Sequence, residues 1–137
     1  MTFDPIDVVY SVLSNNFDWS SLDVEIKKEY DVKGLDLRIK SYIVIGSVRE
    51  NDAFLGLGAK EYMRNIAVGV MVLTSESRSK ARQIVNKIRD IFRNKDNWTV
   101  DGVRHLNFNV EVLVDRSDYE RNIFTHEIEV GWLVVEP

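Results

Sequence analysis

YMRNIAVGVMVLTSESRSKARQIVNKIRDIFR, residues 62–93, decides the fold. Its first part, 62–73, is apolar, strand-length and rich in β-branched residues, and reads as one long β-strand. After a polar break at Thr74, Ser75, Glu76 and Ser77 the period changes. Ala81, Ile84, Val85, Ile88, Ile91 and Phe92 recur at the spacing of a single buried helical face, which predicts an amphipathic helix to Arg93. A strand that feeds directly into such a helix makes an α/β layer unit, because the helix needs a flat apolar surface to cover.

Working outward, Asp4-Pro5 opens a short helix: Asp4 is a suitable N-cap, and Pro5 suits a first position that needs no amide donor. Ile6, Val9, Tyr10 and Leu13 mark its buried side, and Asn15-Asn16 ends it. Residues 23–32 alternate apolar and charged, as a strand exposed on one side does. Lys33-Gly34 turns the chain, and SYIVIGSV (41–48) reads as a central strand. Beyond the helix, 94–102 reads as a polar connector ending in the Asp101-Gly102 turn. The alternating runs 105–114 and 123–135 are joined by a connector too short for a crossover helix, so they form an antiparallel hairpin. In the first run Phe108, Val110, Val112 and Val114 share one face. The expected fold is α+β: one domain over residues 1–137, in the order α-β-β-β-α-β-β. It has a largely antiparallel sheet of about five strands, a long amphipathic helix on one face and a short N-terminal helix.

A chain of 137 residues is long enough for one real core. It has no cysteine, hence no disulfide framework, no thiolate metal site and no cysteine nucleophile. The first residues carry neither a basic nor an apolar leader region. No apolar run reaches the roughly 18 residues of a membrane span, so no membrane partner is expected. A net charge of −4 argues against a dedicated nucleic-acid binder.

Catalytic constellations are not found, and no catalytic, cofactor or metal residue is assigned. His105 and His126, the only histidines, do not have the spacing of a compact ligand motif. His126 falls on the apolar side of its strand and reads as a packed, hydrogen-bonded histidine. Glu25-Ile26-Lys27 has the acid-x-lysine form found in metal-dependent nucleases, but no aspartate at a strand end completes it. Alternating charge on an exposed strand accounts for it. Gly56-Leu57-Gly58 precedes a strand rather than a helix, so it lacks phosphate-loop geometry.

Three features suggest contact surfaces. Arg78, Arg82, Arg89 and Arg93 form one stripe beside the apolar face of the helix. Residues 75–95 hold seven basic side chains against two acidic ones in a chain that is acidic overall. The stripe is a solvated flank, a protein interface that meets carboxylates, or a phosphate contact. Arginine's planar fork favours carboxylates, and the global charge ranks phosphate last. The segment 49–60 carries Phe54, Leu55 and Leu57 between glycines, either docking on a partner or folding back on the core. Glu111, Glu127 and Glu129 share a face of the final hairpin, as a hard-cation site or as the solvated side of a one-sided sheet.

The run of elements YIVIGSV, loop, RNIAVGVMVLTSES, KARQIVNKIRDIF, turn, NFNVEVLVDR, DYERN and FTHEIEVGWLVVE resembles the tail terminator, or tail completion, proteins of long-tailed bacteriophages. These include the lambda-type minor tail protein and related head–tail joining proteins. The resemblance covers residues 38–136 and, more loosely, the first helix. It rests on the order of elements, and the strand at 23–32 has no clear place in it. It implies a non-enzymatic virion protein at the tail end or neck, assembled in the host cytoplasm. It also implies a hexameric ring of self-associated copies that caps the tail tube and docks to the head–tail connector, with DNA only as the genome passing through the lumen. On that reading Glu111, Glu127 and Glu129 face the channel, while the arginine stripe and Phe54, Leu55 and Leu57 meet a neighbour. The competing classes are a small non-catalytic ligand-binding or regulatory α+β domain, and a DNA-contacting adaptor whose binding weakens with salt.

Overall fold

The computed structural model describes residues 3–29, 35–53 and 62–136. Helix α1 spans Pro5–Asn16, with Pro5 in its first turn. The Asp4 carboxylate caps it by accepting from the Ile6 amide at 2.9 Å. A 3-10 turn at Trp19–Leu22 follows, pinned beneath α1 by the Trp19 indole, which donates to the Leu13 carbonyl at 2.8 Å. Then come β1 (Val24–Lys28), β2 (Ser41–Ala53), β3 (Tyr62–Thr74), α2 (Arg78–Arg93), β4 (Trp98–Val100), β5 (Val103–Asp115) and β6 (Phe124–Glu136). The sheet order is β1-β2-β3-β6-β5-β4. The β1–β2 pair is parallel and the other four pairs are antiparallel.

This corrects the expected architecture. The fold is mostly sheet, six mixed strands curled into a half-barrel with two short helices, rather than a five-stranded layer organised by one long helix. Length explains it. Four strands have 13 residues each, about 43 Å at ~3.3 Å per residue, whereas the 16 residues of α2 reach only about 24 Å. The helix covers part of a sheet that extends well past it.

Two strand readings are also corrected. The connector 94–102 contains β4, because Asp101 and Gly102, at φ 53° and 78°, form a tight turn that folds Trp98–Val100 back on β5. The strand expected at 23–32 is assigned as Val24–Lys28, and part of the remainder, with the Lys33-Gly34 turn, lies outside the described residues.

The sheet curls where its ladders are irregular. β2 shifts register between Gly46 and Val48, with Ser47 at φ 49°, and β5 shifts between Leu106 and Asn109, with Asn107 at φ 58°. An extra residue on one strand bends it and increases its twist. A second shift between Val112 and Val114 puts Val114 level with Glu127, so Val114 does not share a face with Phe108 and Val110.

Both helices lie on the same side of the sheet. Ala81, Ile84, Val85, Ile88 and Phe92 of α2 are buried there, as are Val8, Val9, Val12 and Leu13 of α1. The α1 face is rotated slightly from the expected one, leaving Ile6 and Tyr10 partly buried at its margin. Phe92, Phe108 and Trp132 run in series through this core, with ring centroids 5.8 and 5.3 Å apart. Among the described residues the opposite face has no helix on it. It carries Val44, Gly46, Gly69, Met71, Glu127 and Glu129, and is called the open face below.

Candidate functional site

The helix cap sets the position of the arginine stripe. Ser77 accepts from the Lys80 amide at 3.0 Å and fixes the start of α2, so the apolar residues face the sheet. Arg78, Arg82, Arg89 and Arg93 then fall within an arc of about 60° on the outer side, and all four are exposed. Arg78 reaches Asp115 at the end of β5, 3.5 Å away. The Asp115 carboxyl is held below its usual range first by the Ser117 hydroxyl, with the Ser117 amide, His126 and Arg78 adding to the effect against partial desolvation. Arg82 borders a groove of about 570 Å³ with Phe17, Leu22 and Gln83. Arg82, Arg89 and Arg93 have no ion pair among the described residues. The helix therefore presents three cations that the described fold does not neutralise.

The acidic residues do meet on the open face. Glu111 stands opposite Glu129 in the β5–β6 ladder, and Glu127 is two residues along on the same side. Two of them are paired with arginines, one across its own hairpin and one from a strand distant in sequence. Arg116 lies 3.2 Å from Glu127, and Arg49 of β2 pairs with Glu129 of β6. The second pair spans β3, and it can do so because β3 presents only Ala67 and Gly69 at that level. A Cβ on Gly69 would come 2.4 Å from the Ser47 hydroxyl, so this floor has no room for a side chain. Glu111 alone is left without an ion pair among the described residues. Sequence spacing gave no sign of Arg49, which is 80 positions from its partner.

Below these pairs lies a trough of about 400 Å³, floored by Val44, Gly46, Gly69 and Met71 and flanked by Leu113, Glu29, Glu127 and Glu129. Among the described residues no three histidine, cysteine, aspartate or glutamate side chains converge as a metal ion requires. No helix among the described residues is long and apolar enough to cross a membrane. Phe54, Leu55 and Leu57 lie outside the described residues.

The remaining titratable candidates serve the structure. Lys27 lies 3.0 Å from Glu25, and Lys40 lies 3.3 Å away. The Lys27 hydrogen bond holds the Glu25 carboxyl below its usual range, against desolvation and with Lys40 adding to the effect. The acid-x-lysine pattern is thus an ion pair on a strand. His105 is 2% exposed and its Nδ1 accepts from the Trp132 indole at 3.2 Å. Phe3 packs edge-on against its ring and Trp98 lies tilted beside it. Burial pushes the His105 pKa down, partly offset by Glu136, and Lys95 pushes it further down. His126 is buried on the core side as expected, but its Nε2 has no hydrogen-bond partner among the described residues.

No protein-family model matches the chain, and no curated protein matches it. Among solved structures it is similar to a chain of the virion of a native gene transfer agent (GTA) particle. That match has a TM-score of 0.69 at 15% identity and covers 95% of this chain and 93% of the other. The two share a fold over nearly their whole lengths.

Proposed function

We propose that this chain is a structural protein of a phage-type virion, without enzymatic activity, that acts as a tail terminator. In this reading copies assemble into a hexameric ring that closes the tail tube, docks to the head–tail connector and lets the genome pass through its lumen. The observation that carries it is the near full-length fold match to a virion chain. The element order of tail terminators, noted in the sequence, supports the finer assignment. The α2 stripe supports self-association: Arg82, Arg89 and Arg93 have no described ion pair and suit carboxylates of a neighbouring subunit. On the open face, Arg49 and Arg116 offset two of the three carboxylates, so Glu111 is the residue that gives a lumen its repulsion for passing phosphate.

Charge reversal at Arg82 and Arg89 tests the subunit contact. Both residues are exposed on the helix, so the fold survives while ring assembly, read by light scattering and negative-stain imaging, is lost. Intact rings from the reversed protein would remove the stripe from the interface. A second reading, a small ligand-binding domain, is favoured by one observation, the apolar-floored trough on the open face. It predicts a strict monomer whose melting temperature rises with a small apolar ligand.

A further inference from the structure

The two edges of the sheet are stepped, and the steps are complementary. On one side β1 covers only Ser41–Ile45 of the 13-residue β2, and on the other β4 covers only Val103–His105 of the 13-residue β5. The short strands sit at opposite ends. Following the ladders across, Ile43 and Ile45 of β2 are level with Asp115 and Val112 of β5, while His105 is level with Asp52. β1 therefore stands at the height where β5 has no outer partner among the described residues. β4 stands level with Asp52 and Ala53 at the far end of β2, which have no outer partner among the described residues.

We propose that copies of this chain join head to tail through these edges, β1 of one copy lying against the Val112–Asp115 end of β5 in the next. β4 of that copy then lies against the far end of the first copy's β2. The proposal deepens the ring reading and rests on it only for closure of the chain of copies. Strand direction permits the joint. β5 is antiparallel to β6, β6 to β3 and β3 to β2, so β5 is antiparallel to β2 and to β1. When copies are related by rotation about an axis along the strands, β1 meets the neighbouring β5 antiparallel and β4 meets the neighbouring β2 parallel. Both pairings complete ladders that the single copy leaves open.

The surface agrees. Seven large hydrophobic residues are exposed among the described residues. Two of them, Val112 and Leu113, lie on the stretch of β5 that would receive β1, and a third, Val100, lies on β4. The strands contain no proline to blunt an edge, since the only prolines are Pro5 and Pro137. Such edges suit a partner of matching height and polarity, which a second copy supplies. Each copy adds about five strands to a common wall. Six copies make roughly thirty strands, a ring about 45 Å across at ~4.8 Å per strand before tilt widens it. The helices cover one side of this wall and the open face forms the other.

The absence of native cysteine makes a direct test possible. Lys27 on β1 and Leu113 on β5 are at similar heights on opposite edges. Three strands separate β1 from β5, about 19 Å measured along the curled sheet, well beyond the Cα separation of about 4.4–6.8 Å that a disulfide spans. Oxidation of the Lys27→Cys/Leu113→Cys double variant should give a ladder of covalent multimers, while each single variant stays uncrosslinked. Val112→Lys should reduce the self-associated mass to that of a monomer, with the circular dichroism spectrum and melting temperature retained. Disulfide dimers of Leu113→Cys alone would mean edge-to-edge pairing of like strands and would overturn the proposal. So would a folded double variant that gives no ladder at its highest soluble concentration. If multimers form without a ladder, the ring reading stands and the edge joint fails. A ladder from a protein that does not engage tail tubes keeps the joint and removes the tail-terminator role.

Discussion

The two faces of one sheet are built on opposite terms. The face under α1 and α2 is apolar and closed, with Val68, Val72, Val130 and Val134 fully buried along β3 and β6. The face turned away from the helices has small residues at its centre, Gly46, Gly69 and Gly131, and ion pairs laid across them. Burial sets the first face, because sliding a strand by one residue would turn its whole apolar set outward. The second face is determined by what it leaves uncovered, namely a trough, a Glu111 with no ion pair among the described residues, and exposed residues near the edges. The fold is thus held from one side and displayed from the other.

Substitutions should separate the faces by magnitude. Phe92→Ala removes a fully buried ring that packs on Phe108, and should cost about 3–5 kcal/mol in urea unfolding. A loss under ~1 kcal/mol would mean that the helix is not part of the core. On the open face the largest effect should come from Gly69→Ala, whose methyl meets the Ser47 hydroxyl. About 1–3 kcal/mol is expected, and a neutral result would show that the Ser47 bulge rearranges freely.

A pH series reads the buried His105. Its pKa is lowered in the folded state, so below the ordinary histidine value of about 6.5 the unfolded chain binds the extra proton and the folded chain resists it. Stability should be complete above that pH and fall as the pH drops towards the depressed folded value. His105→Phe should flatten this part of the profile of melting temperature against pH, and an unchanged profile would assign the slope to other groups. Arg49→Ala should be milder. It breaks a surface pair worth about 0–1 kcal/mol, and a larger loss would mean that the bridge over β3 holds the curl of the sheet. Reversal of Arg82 and Arg89 should change monomer stability least, by no more than about 0.5 kcal/mol, although it acts on assembly.

What the sequence disclosed follows the same division. The α2 stripe and the long runs of β3 and β6 were legible because burial imposes a period, 3.6 on the helix and 2 on the strands. β4 was hidden because three residues are too few to establish a period, although Asp101-Gly102 between Val100 and Val103 carried the hairpin signal. The parallel β1–β2 pair was hidden because such pairs ordinarily announce themselves by a crossover helix. Val114 leaves the face of Phe108 and Val110 because a bulge costs one residue of phase, which leaves no mark on composition. Of the candidate surfaces, the stripe and the three glutamates were visible as residues. That two of the glutamates are neutralised was not, since Arg49 reaches Glu129 only through the folded sheet.

The proposed role, a ring in a virion, is decided by the mass and symmetry of the purified protein, alone and after incubation with phage tail tubes, measured by light scattering and electron microscopy. Six-fold rings, free in solution or seated on tube ends, are the expected result. A protein that stays monomeric in both conditions, with bare tube ends, would contradict it.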